Sequence, residues 1–513
     1  MTEFKKFSPH KKAVVAWPIV LLLLIGLGGC GVYNGYPTPV PVTASPDDAA
    51  TTPIPTLLPL LTFASLPTVT PRPTLPPTPS NLSLKKGDFL QQSFNGLLSR
   101  FYKPLASADI YEVGLIGMQK ALKEAGVSQP DVPIPAFSGN AQQDFQTFLN
   151  SFTITLGRYS SSLTEDKLAY AALQNSAATI NDCQVQQTAF YPPDQSEAYL
   201  RNRSGQNQYT GLGINILAFD TTSGYFITRV ATKTPAEQSG LKLGDAILAV
   251  DSQDVTKMDA AQVVRLLQGN NGAVGSKVRL TLHRAGTNRE EIIEVARNVI
   301  QTPFIEQRLL PDNIAYIRFN LFPLMSADSY LNQYLGEFDR LLTDFKSKGV
   351  KGYILDVRGT RYGNIALVQN LLSRFVSGQD LVYLLRQSQQ GNSEIIAMPS
   401  INSVKPVDLP VAVLVDQGTS NEAEIFAQAL QNKNTGSVFG VKTAGCLVAS
   451  IPTVLADNSV LNVSNYRGVS DSKDPTSLIE GVDPDEVVDL DPQTLSQGQD
   501  AQLEKAVAYI KAQ

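Results

Sequence analysis

Two short runs, "VKGYILDVRG" (350–359) and "PVAVLVDQG" (410–418), are apolar at almost every position. A strand wetted on one side alternates apolar with polar residues, so an unbroken run predicts a strand buried on both faces. "NIAYIRFNLF" (313–322) reads as a further strand and "SYLNQYLGEFDRLLTDFKSKG" (329–349) as a long amphipathic helix. "NEAEIFAQALQN" (421–432) is helical and directly follows the second run. The chain beyond residue 300 therefore reads as α/β.

Upstream the hydrophobic period changes twice. Over residues 85–207 apolar residues recur every three or four positions, as in "FLQQSFNGLLSRFY" (89–102), "AQQDFQTFLNSFTITL" (141–156) and "SSLTEDKLAYAALQNSA" (161–177), which predicts a helical region. Over 208–299 the period falls to two, with short strands at "YTGLGINI" (209–216), "SGYFITRV" (223–230), "AILAVD" (246–251) and "SKVRLTLHRAG" (276–286). Two helices, "TPAEQSGLKLGD" (234–245) and "MDAAQVVRLLQG" (258–269), lie between them. At 513 residues the chain has room for three or four domains, and the fold class is multidomain α+β. A net charge of −5, with no basic cluster outside the extreme amino terminus, argues against nucleic acid as a partner.

That terminus reads as a targeting segment. Lys5, Lys6, Lys11 and Lys12 precede an apolar run from Ala13 to Ile25, followed by "LGGC", Leu27 to Cys30. A membrane-spanning helix would need about 20 apolar residues, more than this run offers. The Leu-Gly-Gly-Cys ending resembles a bacterial lipobox, which implies a signal peptide over 1–29 and lipidation of Cys30. Residues 30–84 then carry the lipidated cysteine and a tether, whose Pro/Thr-rich stretch 36–80 at about 3.1 Å per residue reaches on the order of 140 Å fully stretched. The expectation is a membrane-anchored lipoprotein on the extracytoplasmic face of a bacterial cell envelope. Once the signal is removed, His283 is the only histidine, although most hydrolytic bases are histidines. Cys183 and Cys446 are then the only unmodified cysteines, in a compartment where disulfides persist.

Residues 208–299 resemble a PDZ domain. Gly211-Leu212-Gly213-Ile214 matches that family's carboxylate loop, and "TPAEQSGLKLGDAILAVDSQDVT" follows at the interval the family shows. The resemblance implies that backbone N–H groups of Gly211, Leu212, Gly213 and Ile214 bind a peptide's terminal carboxylate while the peptide adds as a strand.

"VDQGTSNEAEI" (415–425) passes from strand to helix through a polar turn. Such joints suit a nucleophile, because a helix amino terminus stabilises negative charge. Thr419, Ser420 and Asn421 stand there. From about Lys85 onward the chain resembles the carboxyl-terminal processing, or tail-specific, serine peptidases. Besides the PDZ segment the resemblance rests on "DVRGTRYG" (356–363), "VDQGTSNEAEI", "GVKTAGCLV" (440–448), "GVDPDEVV" (481–488) and "DAQLEKAVAYI" (500–510). It implies a ClpP/crotonase-like core over 300–513 with its carboxyl-terminal helix, a Ser/Lys dyad, and no metal or other cofactor.

This chain departs from the family pattern at each motif. In the pattern V-D-x-G-T-A-S-A-S-E-I, Glu424 matches the glutamate and Asn421 takes the nucleophile's place. In G-E-K-T-x-G-K-G, Cys446 takes the catalytic lysine's place, while Lys442 matches the earlier, non-catalytic lysine. In Asp-Φ-Arg-x-Asn-Pro-Gly-Gly, Asp356, Arg358 and Gly363 are kept, whereas Thr360, Arg361 and Tyr362 replace Asn, Pro and the first Gly. The oxyanion region expected from the alignment comprises Tyr362, Gly363 and Glu422. An amide is no nucleophile, so the dyad is expected to be degenerate. Asn421 and Glu424 have the spacing of a capping box that would preserve the helix start.

Ser420 is the alternative nucleophile and Lys442 the alternative base. His283 is expected at an exposed or edge position of its strand, and Gln184 stands where some relatives carry a histidine. The comparison also brings Cys183 near the dyad position, which implies a Cys183–Cys446 disulfide; two free buried cysteines are the other reading. Two functions compete: a lipid-anchored pseudopeptidase that binds polypeptide C-termini or a partner protein, and an active serine endopeptidase using Ser420. An oligomer is compatible with both.

Overall fold

The computed structural model describes residues 86–513, apart from 184–186, 205–207, 220–221, 270–272, 288, 325–327, 362, 388–391 and 402–404. The signal, Cys30, the tether, Gln184 and Tyr362 thus lie outside the described residues. The chain divides into two compact units, one formed by Gln208–Ile300 with Leu490–Ala501 and the other by the remaining described residues.

In the larger unit, Ile305–Leu310, Ile314–Phe319, Gly352–Asp356, Val411–Val415, Gly436–Gly440 and Glu486–Val487 form one sheet in that order. The first pair is antiparallel and the others are parallel. The apolar runs are buried on both faces for the expected reason. Val411, Val413 and Val415 face a core shared with Phe338, Leu371 and Phe426, from helices Asp328–Ser347, Ile365–Leu372 and Glu422–Asn432. Ala412 and Leu414 face Ala506 and Ile510 of helix Ala501–Ala512 on the other side.

A second sheet holds Ala189–Tyr191, Val460–Val469, Asp380–Gln387 and Ser393–Pro399, with Val448–Val454 paired to Val460–Val469. The helical region forms Lys86–Arg100, Ser107–Glu124, Ala141–Tyr159, Glu165–Ala178 and Pro193–Arg203. The first four share their core with this second sheet: Phe94, Tyr111, Phe148 and Leu173 cluster with Leu385, Leu461, Val463 and Val469.

In the smaller unit five antiparallel strands run in the order Ile214–Leu217, Tyr225–Val230, Ala246–Val250, Lys277–His283, Glu290–Ala296. Helix Ala260–Gln268 starts on a complete capping box between Asp259 and Gln262. Its Val263 and Leu267 join Leu212, Ile227 and Leu280 in the core. "YTGLGINI" is two strands rather than one, Gln208–Gly211 and Ile214–Leu217, because Gly213 breaks it with φ +86°. The segment Leu490–Ala501 adds the short helix Pro492–Ser496 to this unit, where Leu495 packs with Phe226 and Ala246. The sequence, read as an unbroken core from 300 to 513, gives no sign of this loan, since "DPQTLSQGQ" carries no apolar period.

Candidate active-site joint and PDZ groove

Strand Val411–Val415 ends at Asp416, and the turn after it is held to the backbone of the neighbouring strand's loop. Asp416 Oδ1 accepts from the N–H groups of Gly359 (2.8 Å) and Gly418 (2.9 Å). Thr419 Oγ1 lies 3.0 Å from Val357 O and donates to it. Ser420 N–H donates to Thr360 O at 3.0 Å. The turn therefore rests on 357–360, the loop that carries the Asp-Φ-Arg motif.

Asp356 in that motif is fully buried and accepts from Tyr316 Oη (2.6 Å), Arg318 Nη1 (2.8 Å) and Arg358 Nη2 (2.8 Å). Although burial opposes its charge, the two guanidinium groups hold its carboxyl well below the usual range.

Asn421 takes φ 61° and ψ −127°, a backbone shape that a non-glycine residue keeps only when its surroundings enforce it. The enforcing groups are visible. Asn421 N–H donates to Cys446 O (2.9 Å) and to Glu424 Oε2 (3.0 Å). A strained strand-to-helix turn of this kind is what lifts a nucleophile in hydrolases.

The capping-box pair stands in place, but its two halves differ. Glu424 supplies its half through Oε2. On the other side, Glu424 N–H donates to the backbone oxygen of Asn421 at 2.9 Å. Asn421 Oδ1 and Nδ2 are buried with no hydrogen-bond partner.

Glu424 is the hub of the joint. Besides Asn421 N–H, it accepts from Gly445 N–H (2.9 Å), Cys446 N–H (2.8 Å) and the hydroxyl of Thr443. Burial pushes its carboxyl up to about 7, against the pull of these four donors.

Glu422 is also buried, and neither of its oxygens makes a hydrogen bond. Burial raises it to about 7; Arg203 and the nearby N–H groups of Glu422, Ser450 and Gly363 oppose the rise. Gly363 has to be glycine here, since a Cβ would lie 2.7 Å from Glu422 Cβ. Of the expected oxyanion region, Glu422 and Gly363 thus meet.

The remaining expected residues divide. Cys446 is fully buried and disulfide-bonded to Cys183, with Cα atoms 5.0 Å apart. Ser420 is buried, and its Oγ donates to Arg361 O at 3.3 Å. Lys442 points elsewhere: its half-exposed ammonium pairs with Asp483 at 3.0 Å. Ser420 and Lys442 are not brought together. His283 sits exposed at the end of its strand.

Arg203, whose Nη2 donates to Gly363 O (3.0 Å), was not anticipated, nor was Asp182, which accepts from Thr188 N–H (2.7 Å) and Ser464 Oγ (2.7 Å) beside Cys183. Both lie in the helical amino-terminal region, and no local motif marks them.

The expected carboxylate loop, 211–214, joins strands Gln208–Gly211 and Ile214–Leu217. Leu212 O accepts from Ala236 N–H (3.0 Å) and Gly213 O from Ala231 N–H (2.8 Å). Strand Ile214–Leu217 is an edge strand, paired among the described residues with Tyr225–Val230 alone.

Residues 313–488 match the model of peptidase family S41, and residues 226–284 that of the PDZ domain. The carboxy-terminal processing protease CtpA of Bacillus subtilis is 25% identical over 282 residues, 55% of this chain and 55% of its own. The carboxyl-terminal-processing protease of Synechocystis sp. is 26% identical over 324 residues, 62% of this chain and 71% of its own. A solved structure, the photosystem II D1 C-terminal processing protease, is 24% identical, covers 75% of this chain and 98% of its own, and superposes with a TM-score of 0.40. The chain spans little more than half the length of the first curated relatives it matches. Residues 313–488 are thus a peptidase family S41 domain, preceded in the sequence by a PDZ domain at residues 226–284.

Proposed function

We propose that the chain is a pseudopeptidase that binds polypeptide C-termini through its PDZ groove and does not cut them. The observation that carries this reading is the strand–helix joint, which holds no nucleophile–base pair. The nitrogen lone pair of the Asn421 amide is delocalised, and the sulfur of Cys446 is tied to Cys183. Neither can attack a carbonyl or take a proton. The nearest hydroxyl, Ser420, faces a carbonyl oxygen rather than a base.

Binding asks less of the chain, and its parts are present. The glycine loop 211–214 aims amides at a carboxylate, and the edge of Ile214–Leu217 takes an added strand. A lipid on Cys30 and the 30–84 tether hold the module at the extracytoplasmic face of a bacterial envelope. The disulfide suits that compartment.

The test uses the mature chain and an unstructured polypeptide with an apolar carboxyl terminus. The expected result is binding that needs the free terminal carboxylate, with the polypeptide left whole. Proteolysis that disappears in Ser420→Ala would replace this reading with that of an active peptidase. Globomycin-sensitive processing and a lipid mass on Cys30 are expected in a bacterial host; an uncut, unlipidated amino terminus removes the anchor.

A further inference from the structure

The shape imposed on Asn421 has a chemical consequence of its own. Five atoms would form a ring if the nitrogen of Glu422 bonded to the side-chain amide carbon of Asn421: that nitrogen and Asn421 C, Cα, Cβ and Cγ. Closure needs Cβ and the Glu422 nitrogen on the same side of the Cα–C bond. In an L-residue Cβ is turned from its own nitrogen by about 120° around that bond. At ψ −127° the two are therefore almost eclipsed, as a planar five-membered ring requires. In a helix or a strand they stand roughly 80° to 105° apart. The turn that would lift a nucleophile instead holds an asparagine near its geometry for cyclisation.

The surrounding groups favour the same reaction. Asn421 Oδ1 and Nδ2 are buried without partners, so no hydrogen bond holds the amide away. Glu422 is the first residue of its helix, and its N–H donates to no carbonyl among the described residues. The Glu422 carboxyl lies beside that same N–H.

We propose that Asn421 is a self-modification site, at which the backbone nitrogen of Glu422 displaces the side-chain amide to form a succinimide. The Glu422 N–Asn421 Cγ bond forms and the Cγ–Nδ2 bond breaks. The proton of the Glu422 N–H passes through the neighbouring carboxylate to Nδ2, which departs as ammonia. No other reactant is needed. The product removes two buried, unsatisfied N–H hydrogens, both on Nδ2. Hydrolysis back to an acid would place a new carboxylate beside Glu422 and Glu424 in a site closed to water, so the imide persists. This modification is independent of whether the PDZ groove binds peptides.

Mass spectrometry of the full purified chain, aged at neutral pH, tests the proposal. The expected result is loss of one ammonia, mapped to the peptide containing Asn421, followed by cleavage between residues 421 and 422 when hydroxylamine is added, because it displaces the imide nitrogen and leaves a hydroxamate. The folded chain should react on the order of tenfold or more faster than the chain held unfolded in guanidinium, because only the fold imposes the ring geometry. Asn421→Ser should keep its full mass. An intact Asn421 after ageing overturns the proposal, as does an equal rate in the unfolded chain. Scission of the 421–422 bond in the absence of hydroxylamine also overturns it, since that product requires attack by Nδ2 instead.

Discussion

Glu422 is the residue at the joint with the least compensation for its burial. Its carboxyl titrates near 7 in the folded chain against 4.5 ordinarily, because burial outweighs the Arg203 charge. Between those two values the folded chain holds a proton that the unfolded chain has released. Stability from this group is therefore complete below about 4.5 and is lost as pH rises through about 7, on the order of 3 kcal/mol in all. Glu422→Gln keeps the shape without the charge. We expect it to be more stable than the parent at pH 8, with the difference vanishing near pH 4, by denaturant unfolding at each pH. Parallel stability–pH curves for the two proteins would contradict the assignment. Glu424, also raised to about 7, contributes the same slope to both and drops out of the comparison. Sequence alone placed Asn421 before the helix and Glu424 three residues on. It could not reveal that Glu424 ties down four donors while the Asn421 amide ties down none, because the 443–446 turn that supplies the other three is remote in the chain.

Periodicity made most elements legible, and their exceptions have local causes. The doubly buried runs became Gly352–Asp356 and Val411–Val415, since a parallel strand between two helical layers has no polar face to show. The helix at 421–432 and the PDZ helix at 260–268 likewise followed their apolar stripes. "YTGLGINI" misled as a single strand because its alternation continues across Gly213, whose φ of +86° interrupts the pairing. That interruption shapes the loop at 211–214, to which carboxylate binding is proposed. An alanine there would carry a Cβ 2.5 Å from Thr234 in a conformation that costs an L-residue about 1–2 kcal/mol. Gly213→Ala is thus expected to weaken binding of a peptide with a free carboxylate by about tenfold or more, measured by fluorescence anisotropy. Parent-like affinity would mean that the loop is not the carboxylate site.

At the scale of the whole chain, the contacts hardest to read are those that join distant segments. The amino-terminal helices pack on strands that arrive some 200 or more residues later, and Phe94 meets Leu461 in one core. No periodicity announces such a pairing; it depends on which apolar faces remain uncovered once each element has formed. The Cys183–Cys446 bond fastens the same two regions across 263 residues of sequence. It was suggested by the family resemblance, since nothing in the spacing of two cysteines implies that they meet. Its effect follows from chain statistics: a crosslink that closes so long a loop removes many unfolded conformations and typically contributes about 2–4 kcal/mol. Replacing both cysteines, Cys183→Ser with Cys446→Ser, is expected to lower unfolding stability by that amount. A reductant in the same denaturant series should weaken the parent and leave the double variant unmoved. Equal stability of the two proteins without reductant would show that the packing of helices on sheet holds these regions together unaided.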